Sequence, residues 1–167
     1  NKVKISYTAP SIWNVPTNSG ETFDQLDPRK FGNLIHLIFA EINRDFDYEL
    51  VIDNFISKGF ISLDQKEEIT SIFNLASKNT KLMTIWKKSN HLVEKEIITS
   101  DLKSYRPDRI LRTDKELILL DFKTGEQNKK DIKQVTLYQK LLGKIKSEPV
   151  TAMLYYTESD ELLTIGV

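Results

Sequence analysis

Four aspartates in the chain stand two residues before a lysine: Asp64, Asp101, Asp121 and Asp131. A carboxylate binds hard cations through oxygen. An ammonium beside it can offset negative charge that builds up during nucleophilic attack. The triplet is common enough that at least three of the four must be incidental to any single centre, so context has to select. Asp64 and Asp131 fall at or near expected helix starts, where capping explains a carboxylate. Asp101 falls in an expected turn. Asp121-Phe122-Lys123 alone closes a buried apolar run, Leu117-Ile118-Leu119-Leu120. On a strand, Asp121 and Lys123 share one face and Phe122 takes the other. For this triplet by itself, an ion pair at the rim is the commoner explanation.

Asp108 alters that balance. It follows Pro107 in the only Pro-Asp pair of the chain. The expected strand Tyr105 to Arg112 carries it, and the turn Thr113-Asp114-Lys115 leads into the Asp121 strand. Two antiparallel neighbours would bring the carboxylates together. At neutral pH they repel unless one is protonated or a cation lies between them. A lysine and a divalent ion would resolve that conflict and build a hydrolytic centre. The competing explanation pairs Asp108 with Arg106, Arg109 or Arg112.

Three further polar residues lie on expected helices. His36 has Gly32 four residues before it and Ala40 four after, a low-bulk stripe with room for a metal or a substrate. A lone histidine on a buried helix is nevertheless more often a satisfied core residue, and His91 reads as structural. Gln134 and Tyr138 stand at i and i+4 and share a helix face, which by itself is a polar fringe.

The elements that must position these groups follow from periodicity and punctuation. Residues 1–28 carry Pro10, Pro16, Gly20 and Pro28 and read as an irregular arm, packed through Ile12 and Trp13. A helical part, 29–88, holds four helices. They run from Arg29 to about Arg44, from Tyr48 to Lys58 with a stop at Gly59, from near Asp64 to Lys78, and through Leu82, Ile85 and Trp86. Asp64-Gln65-Lys66-Glu67 has capping-box spacing. The texture then changes to a sheet core, 91–167. Leu92 to Ile98, Tyr105 to Arg112 and Leu117 to Phe122 read as strands. Asn128 to Leu142 reads as a helix stopped by Gly143. Val150–Tyr156 and Leu162–Val167 close the chain around a Ser159-Asp160 turn. This order implies a mixed sheet flanked by helices.

The bulk properties narrow the chemistry. A length of 167 residues suits one domain with a single core. Without cysteine there is no disulfide, thiolate metal site or cysteine nucleophile. The 24 basic and 24 acidic residues cancel, which counts against tight autonomous binding to nucleic acid. The late lysines Lys129, Lys130, Lys133, Lys140, Lys144 and Lys146 form a local basic segment, equally well a phosphate track or a solvated helix face. No apolar run is long enough to span a bilayer. A cytoplasmic location fits, and membrane contact is not expected. The chain opens on Asn1 rather than methionine, as expected of a piece cut from a longer protein.

Arg106-Pro107-Asp108-Arg109-Ile110, followed by Asp121-Phe122-Lys123-Thr124-Gly125, resembles the signature of the PD-(D/E)XK nucleases, and within them the RecB-like branch with its AddA-type members. Gly32-Asn33-Leu34-Ile35-His36 is similar to that branch's Gly-x-x-x-His helix, and Gln134-Val135-Thr136-Leu137-Tyr138 to its Gln-x-x-x-Tyr motif. The likeness spans roughly residues 31–156, with the four pieces in family order. It implies an α/β, restriction-endonuclease-like core with an N-terminal helical region. It also implies a nuclease acting on DNA, on single strands or unwound ends, in break processing and recombinational repair. Asp108, Asp121 and His36 would then hold Mg²⁺ or Mn²⁺, with the Phe122 carbonyl as an extra ligand. Lys123 would stabilise the transition state, Gln134 and Tyr138 would contact phosphate or the active centre, and Lys130 and Lys133 would grip DNA. Glu94 or Glu96 would match an acidic residue of the first core strand. No Gly-x-x-x-x-Gly-Lys-Ser/Thr occurs, so linked or associated helicase domains would have to supply the motor. The rival expectations are a nuclease-like module that no longer cuts and a structure-specific or restriction-type endonuclease.

Overall fold

The fold comes from a computed structural model, which describes residues 4–7, 28–93 and 95–166. Strand β1 spans Lys4–Tyr7. Four helices follow: α1 Pro28–Glu41, α2 Tyr48–Ser57, α3 Leu63–Lys78 and α4 Thr80–Lys88. The remaining elements are β2 Asn90–Val93, β3 Lys95–Ile98, β4 Ser104–Tyr105, β5 Arg109–Arg112, β6 Leu117–Lys123, α5 Lys129–Gly143, β7 Val150–Tyr156 and β8 Glu161–Ile165.

The main sheet has five strands in the order β2-β5-β6-β7-β8. The β6–β7 pair is parallel and the other pairs are antiparallel. A parallel pair needs a long crossover, and α5 supplies it. Strand β6 sits at the centre and is buried from Leu117 to Phe122, which is why its sequence is apolar without alternation. Ile118, Leu120 and Phe122 face a core built with α1 to α4. Leu119 faces the opposite way, towards Val135 and Tyr138 of α5. The alternation therefore puts Asp121 and Lys123 on the α5 side and Phe122 on the α1 side. Phe122 stacks on Phe39 of α1 with centroids 3.9 Å apart and planes 6° apart.

Several boundaries differ from the expectations. The single strand Leu92 to Ile98 is two strands in two sheets: β2 pairs with β5, while β3 pairs with β1 and β4. The expected strand Tyr105 to Arg112 is broken at Arg106-Pro107-Asp108, so Asp108 lies just before β5 rather than within a strand. Proline has no N–H to give a ladder, which accounts for the break. The arm is not irregular throughout, because Lys4–Tyr7 pairs with β3; Ile12 and Trp13 lie outside the described residues.

Helix α3 also begins differently. Its N-cap is Ser62, whose hydroxyl accepts from the Gln65 N–H while the Gln65 side chain accepts from the Ser62 N–H. Asp64 sits inside the first turn. Ser62→Ala should cost about 1 kcal/mol, a fall of roughly 2–4 °C in melting temperature for a chain of this size. Asp64→Ala should cost less than half of that. Thermal melts of the two variants decide which residue caps the helix.

Candidate active site

The four Asp-x-Lys triplets differ in their partners and surroundings. Lys66 pairs with Asp53 rather than Asp64, at 2.7 Å. Asp131 accepts from the Tyr156 hydroxyl at 3.1 Å. Asp101 pairs with its own lysine, Lys103, at 2.8 Å, with the two side chains 56% and 68% exposed. Asp121 also pairs with its own lysine, at 2.7 Å, but there the exposures are 3% and 19%. The same triplet thus makes the same contact in opposite surroundings. Lys103 and Thr99 pull the Asp101 carboxyl down to about 2. Burial, followed by repulsion from Asp108, pushes the Asp121 carboxyl up to about 6 despite Lys123 beside it.

Asp108 reaches Asp121 through register. Arg109 faces Leu120 across the β5–β6 ladder, so one further step opposes Asp108 to Asp121 on the same face. The Asp108 carboxylate accepts from the Phe122 N–H through Oδ2 at 2.7 Å. Its Oδ1 lies 3.0 Å from His36 Nδ1. The expected alternative partners go elsewhere. Arg106 faces Glu96 and Arg112 pairs with Glu148. Arg109 turns to the end of α1.

His36 projects from α1 into this cluster. Burial opposes its charge, but the Asp108 carboxylate and then Asp121 lift its pKa above the ordinary histidine range. Lys123 is likewise held above its usual range: burial works against the ammonium, and Asp121 outweighs it. On the other side, Lys123 Nζ donates to Gln134 Oε1 at 3.0 Å, and Gln134 Nε2 donates to the Tyr138 hydroxyl at 2.7 Å. A connected path therefore runs from Asp121 through Lys123 and Gln134 to Tyr138, with Asp108 and His36 at its head. Lys130 and Lys133 stand outside it, exposed on α5. Glu96 accepts from Ser104 and faces Arg106, and Glu94 lies outside the described residues. His91 packs against Trp86 and Arg109.

Gly32 does not leave open space beside His36. A Cβ placed on Gly32 would stand 2.8 Å from the Thr124 hydroxyl oxygen. The missing side chain lets the chain leaving β6 close against α1, instead of leaving room for a ligand. Gly32→Ala should therefore force Thr124 or α1 aside. The gain in helix propensity, about 1 kcal/mol, offsets only part of an overpacking cost of roughly 1–3 kcal/mol. A melting temperature at or above that of the parent would contradict this.

Among the described residues no three histidine or carboxylate side chains already converge as a ready-made metal cage. The donors nonetheless suit a hard cation, with two carboxylates and one imidazole in one cluster. Asp121 Oδ2 is buried and makes no well-aligned hydrogen bond, even with the Lys123 ammonium 2.7 Å away. Burial first and then the Asp108 charge raise Asp121, and Asp108 with Asp121 raises His36 against its burial; a cation would relieve the repulsion between the two carboxylates.

No helix among the described residues is long and apolar enough to cross a membrane. No similar curated protein is found. A family model described as the PD-(D/E)XK nuclease superfamily matches residues 11–164. Its members are nucleases that generally use divalent metal ions. The match covers nearly the whole sequence, including β5, β6 and α5 with the acidic pair and the lysine, and the five-stranded mixed sheet between helices is the architecture it calls for. The chain belongs to the PD-(D/E)XK nuclease superfamily.

Proposed function

We propose that the chain is a Mg²⁺- or Mn²⁺-dependent deoxyribonuclease of the RecB-like, AddA-type branch, hydrolysing phosphodiester bonds in single-stranded DNA or at DNA ends during break processing and recombinational repair. The observation that carries this reading is the clustering of Asp108, just before β5, with Asp121 and Lys123 at the end of β6 and His36 on α1. The domain would work as a single unit, linked to or associated with helicase domains, in the cytoplasm.

Asp108, Asp121, His36 and the Phe122 carbonyl would hold the ion. When bound, a divalent ion supplies Lewis acidity towards a phosphoryl oxygen and a water ionised near neutral pH. The protein's own groups do the rest. Phe122 N–H fixes one oxygen of Asp108, so that carboxylate presents a single preferred face. Lys123 keeps its proton, because its pKa is raised, and offers a fixed positive charge where negative charge builds up on phosphate. Gln134 holds the Lys123 ammonium by accepting from it, and Tyr138 in turn fixes the Gln134 amide. Lys130 and Lys133, on the exposed side of α5, would attract the phosphate backbone.

A second reading has its own support. Lys123 already sits on Asp121 and His36 already sits on Asp108, so the cluster can neutralise itself. Such a domain would bind DNA or dock a protein without cutting. Purified protein incubated with end-labelled single-stranded DNA and Mg²⁺ or Mn²⁺ separates the two. Cleavage lost in Asp121→Ala and Lys123→Ala supports the nuclease. No cleavage by the parent supports the docking module, and equal cleavage by those variants means that the activity does not come from this cluster. Circles, junctions and free ends compared in the same assay test a structure-specific mode.

A further inference from the structure

Helix α1 carries His36, and its last turn contains no basic residue. The final carbonyls of a helix have no partner within the helix and carry partial negative charge. Here Arg109 supplies both the hydrogen bonds and the charge from outside. Its side chain is 1% exposed. Nη2 donates to the carbonyls of Phe39 and Ala40, the latter at 3.1 Å, and Nη1 donates to that of Ile42 at 3.2 Å. The guanidinium also lies over the Trp86 ring, 4.2 Å from its centroid. His91 completes the seat. Its Nδ1 is 2.6 Å from Arg109 Nη1, and its Nε2 is 2.7 Å from the Trp86 carbonyl. A guanidinium has no acceptor, so Nδ1 accepts and Nε2 carries the proton.

Arg109 is bonded directly to Asp108, whose carboxylate meets His36. Phe39, one of the carbonyls it holds, is three residues beyond His36, about 4.5 Å along the helix axis. One residue therefore ties the strand that presents Asp108 to the end of the helix that presents His36. The Phe39–Phe122 stack fixes the separation of α1 from β6. An aromatic stack resists sliding along its plane poorly, and the three carbonyl bonds resist it directly. We propose that Arg109 is a positioning residue that sets the axial place of His36 against Asp108, with His91 as the acceptor that holds the guanidinium in its fork geometry. In its catalytic consequence this rests on the nuclease reading.

The test compares Arg109→Lys and His91→Leu with Ile61→Ala, a buried residue of the connection between α2 and α3, carried by neither α1 nor β5, whose truncation lowers stability. All are assayed well below their melting temperatures. Lysine keeps the charge but cannot make the fork. Two readouts are taken: kcat and KM on single-stranded DNA with Mn²⁺, and the rate at which diethylpyrocarbonate labels His36 in metal-free protein, followed by mass spectrometry. Arg109→Lys is expected to lower kcat tenfold or more with KM within about twofold, and to speed His36 labelling severalfold. His91→Leu should move both readouts in the same direction by less, and Ile61→Ala should move neither. The proposal is overturned if Arg109→Lys labels at the parental rate, or if Ile61→Ala accelerates labelling as much. A parent that cuts no DNA overturns the nuclease reading, while the labelling rates still decide the role of Arg109.

Discussion

Asp121→Asn is expected to abolish cleavage, by roughly 10³-fold or more, while making the metal-free protein more stable than its parent. The two effects share one cause. Asp121 is 3% exposed, 2.7 Å from Lys123 and within reach of the Asp108 charge. Burial and that second carboxylate raise its pKa from 3.8 to about 6, so at neutral pH the ionised form is held against a gradient. One unit of displacement is about 1.4 kcal/mol, which puts the cost of ionisation at roughly 3 kcal/mol. Asparagine keeps the shape without the charge. Part of the gain is lost with the Lys123 pair, leaving an expected increase of roughly 1–2 kcal/mol, or about 2–8 °C.

The same displacement fixes the pH dependence. Between 3.8 and about 6 the folded chain binds the Asp121 proton more strongly than the unfolded chain does. That stabilisation is present at low pH and is lost as pH rises through about 6. His36 acts in the same direction: its raised pKa stabilises the fold fully below 6.5 and the contribution fades as pH climbs past its folded value. Metal-free parent should therefore lose melting temperature between pH 5 and 8, and Asp121→Asn should lose less. A divalent ion bound to the ionised cluster should flatten or reverse the slope, because it binds only the folded form. Melts across that pH range, with chelator and with Mn²⁺, measure all three. A metal-free parent whose melting temperature rises through pH 6 would contradict the assignment.

That stability is set against function here has a bearing on what could be read from sequence. The Asp121 strand was legible because a strand buried on both faces must be apolar throughout, and a charged pair at its end stands out against that run. Asp108 was legible through its register with Asp121, but its place was misjudged, because Pro107 should have ended the preceding strand. The division of residues 90–98 between two sheets was not legible. Both halves favour extended backbone, and only distant partners, β5 for one and β1 with β4 for the other, separate them. The emptiness at Gly32 was visible and its meaning was not, since Thr124 fills it from 92 residues away. Arg109 was readable only as a candidate partner of Asp108. Only the fold shows that it meets the carbonyls of α1 instead.

Lys123→Met is the variant in which binding and chemistry should move in opposite directions. Lys123 Nζ contacts Asp121 Oδ2 at 2.7 Å and Gln134 Oε1 at 3.0 Å, so the ammonium occupies the space next to the oxygen that an ion would need. Methionine keeps most of the stem and removes the charge. With the ammonium gone, a divalent ion approaches two carboxylates without a neighbouring positive charge, and the concentration needed for half-saturation should fall severalfold. The rate at saturating ion should nevertheless drop by roughly 10²–10³, because the fixed charge facing the phosphate is lost. In metal-free protein the variant should be less stable than the parent at pH 8, where Asp121 is left ionised beside Asp108, and closer to it at pH 5, where Asp121 is protonated. A folding defect weakens ion binding and activity together, so only a direct role for the ammonium yields tighter binding with slower turnover. Calorimetric titration with Mn²⁺ beside single-turnover cleavage makes the comparison, and weaker ion binding by Lys123→Met would place the ion elsewhere than against Asp121.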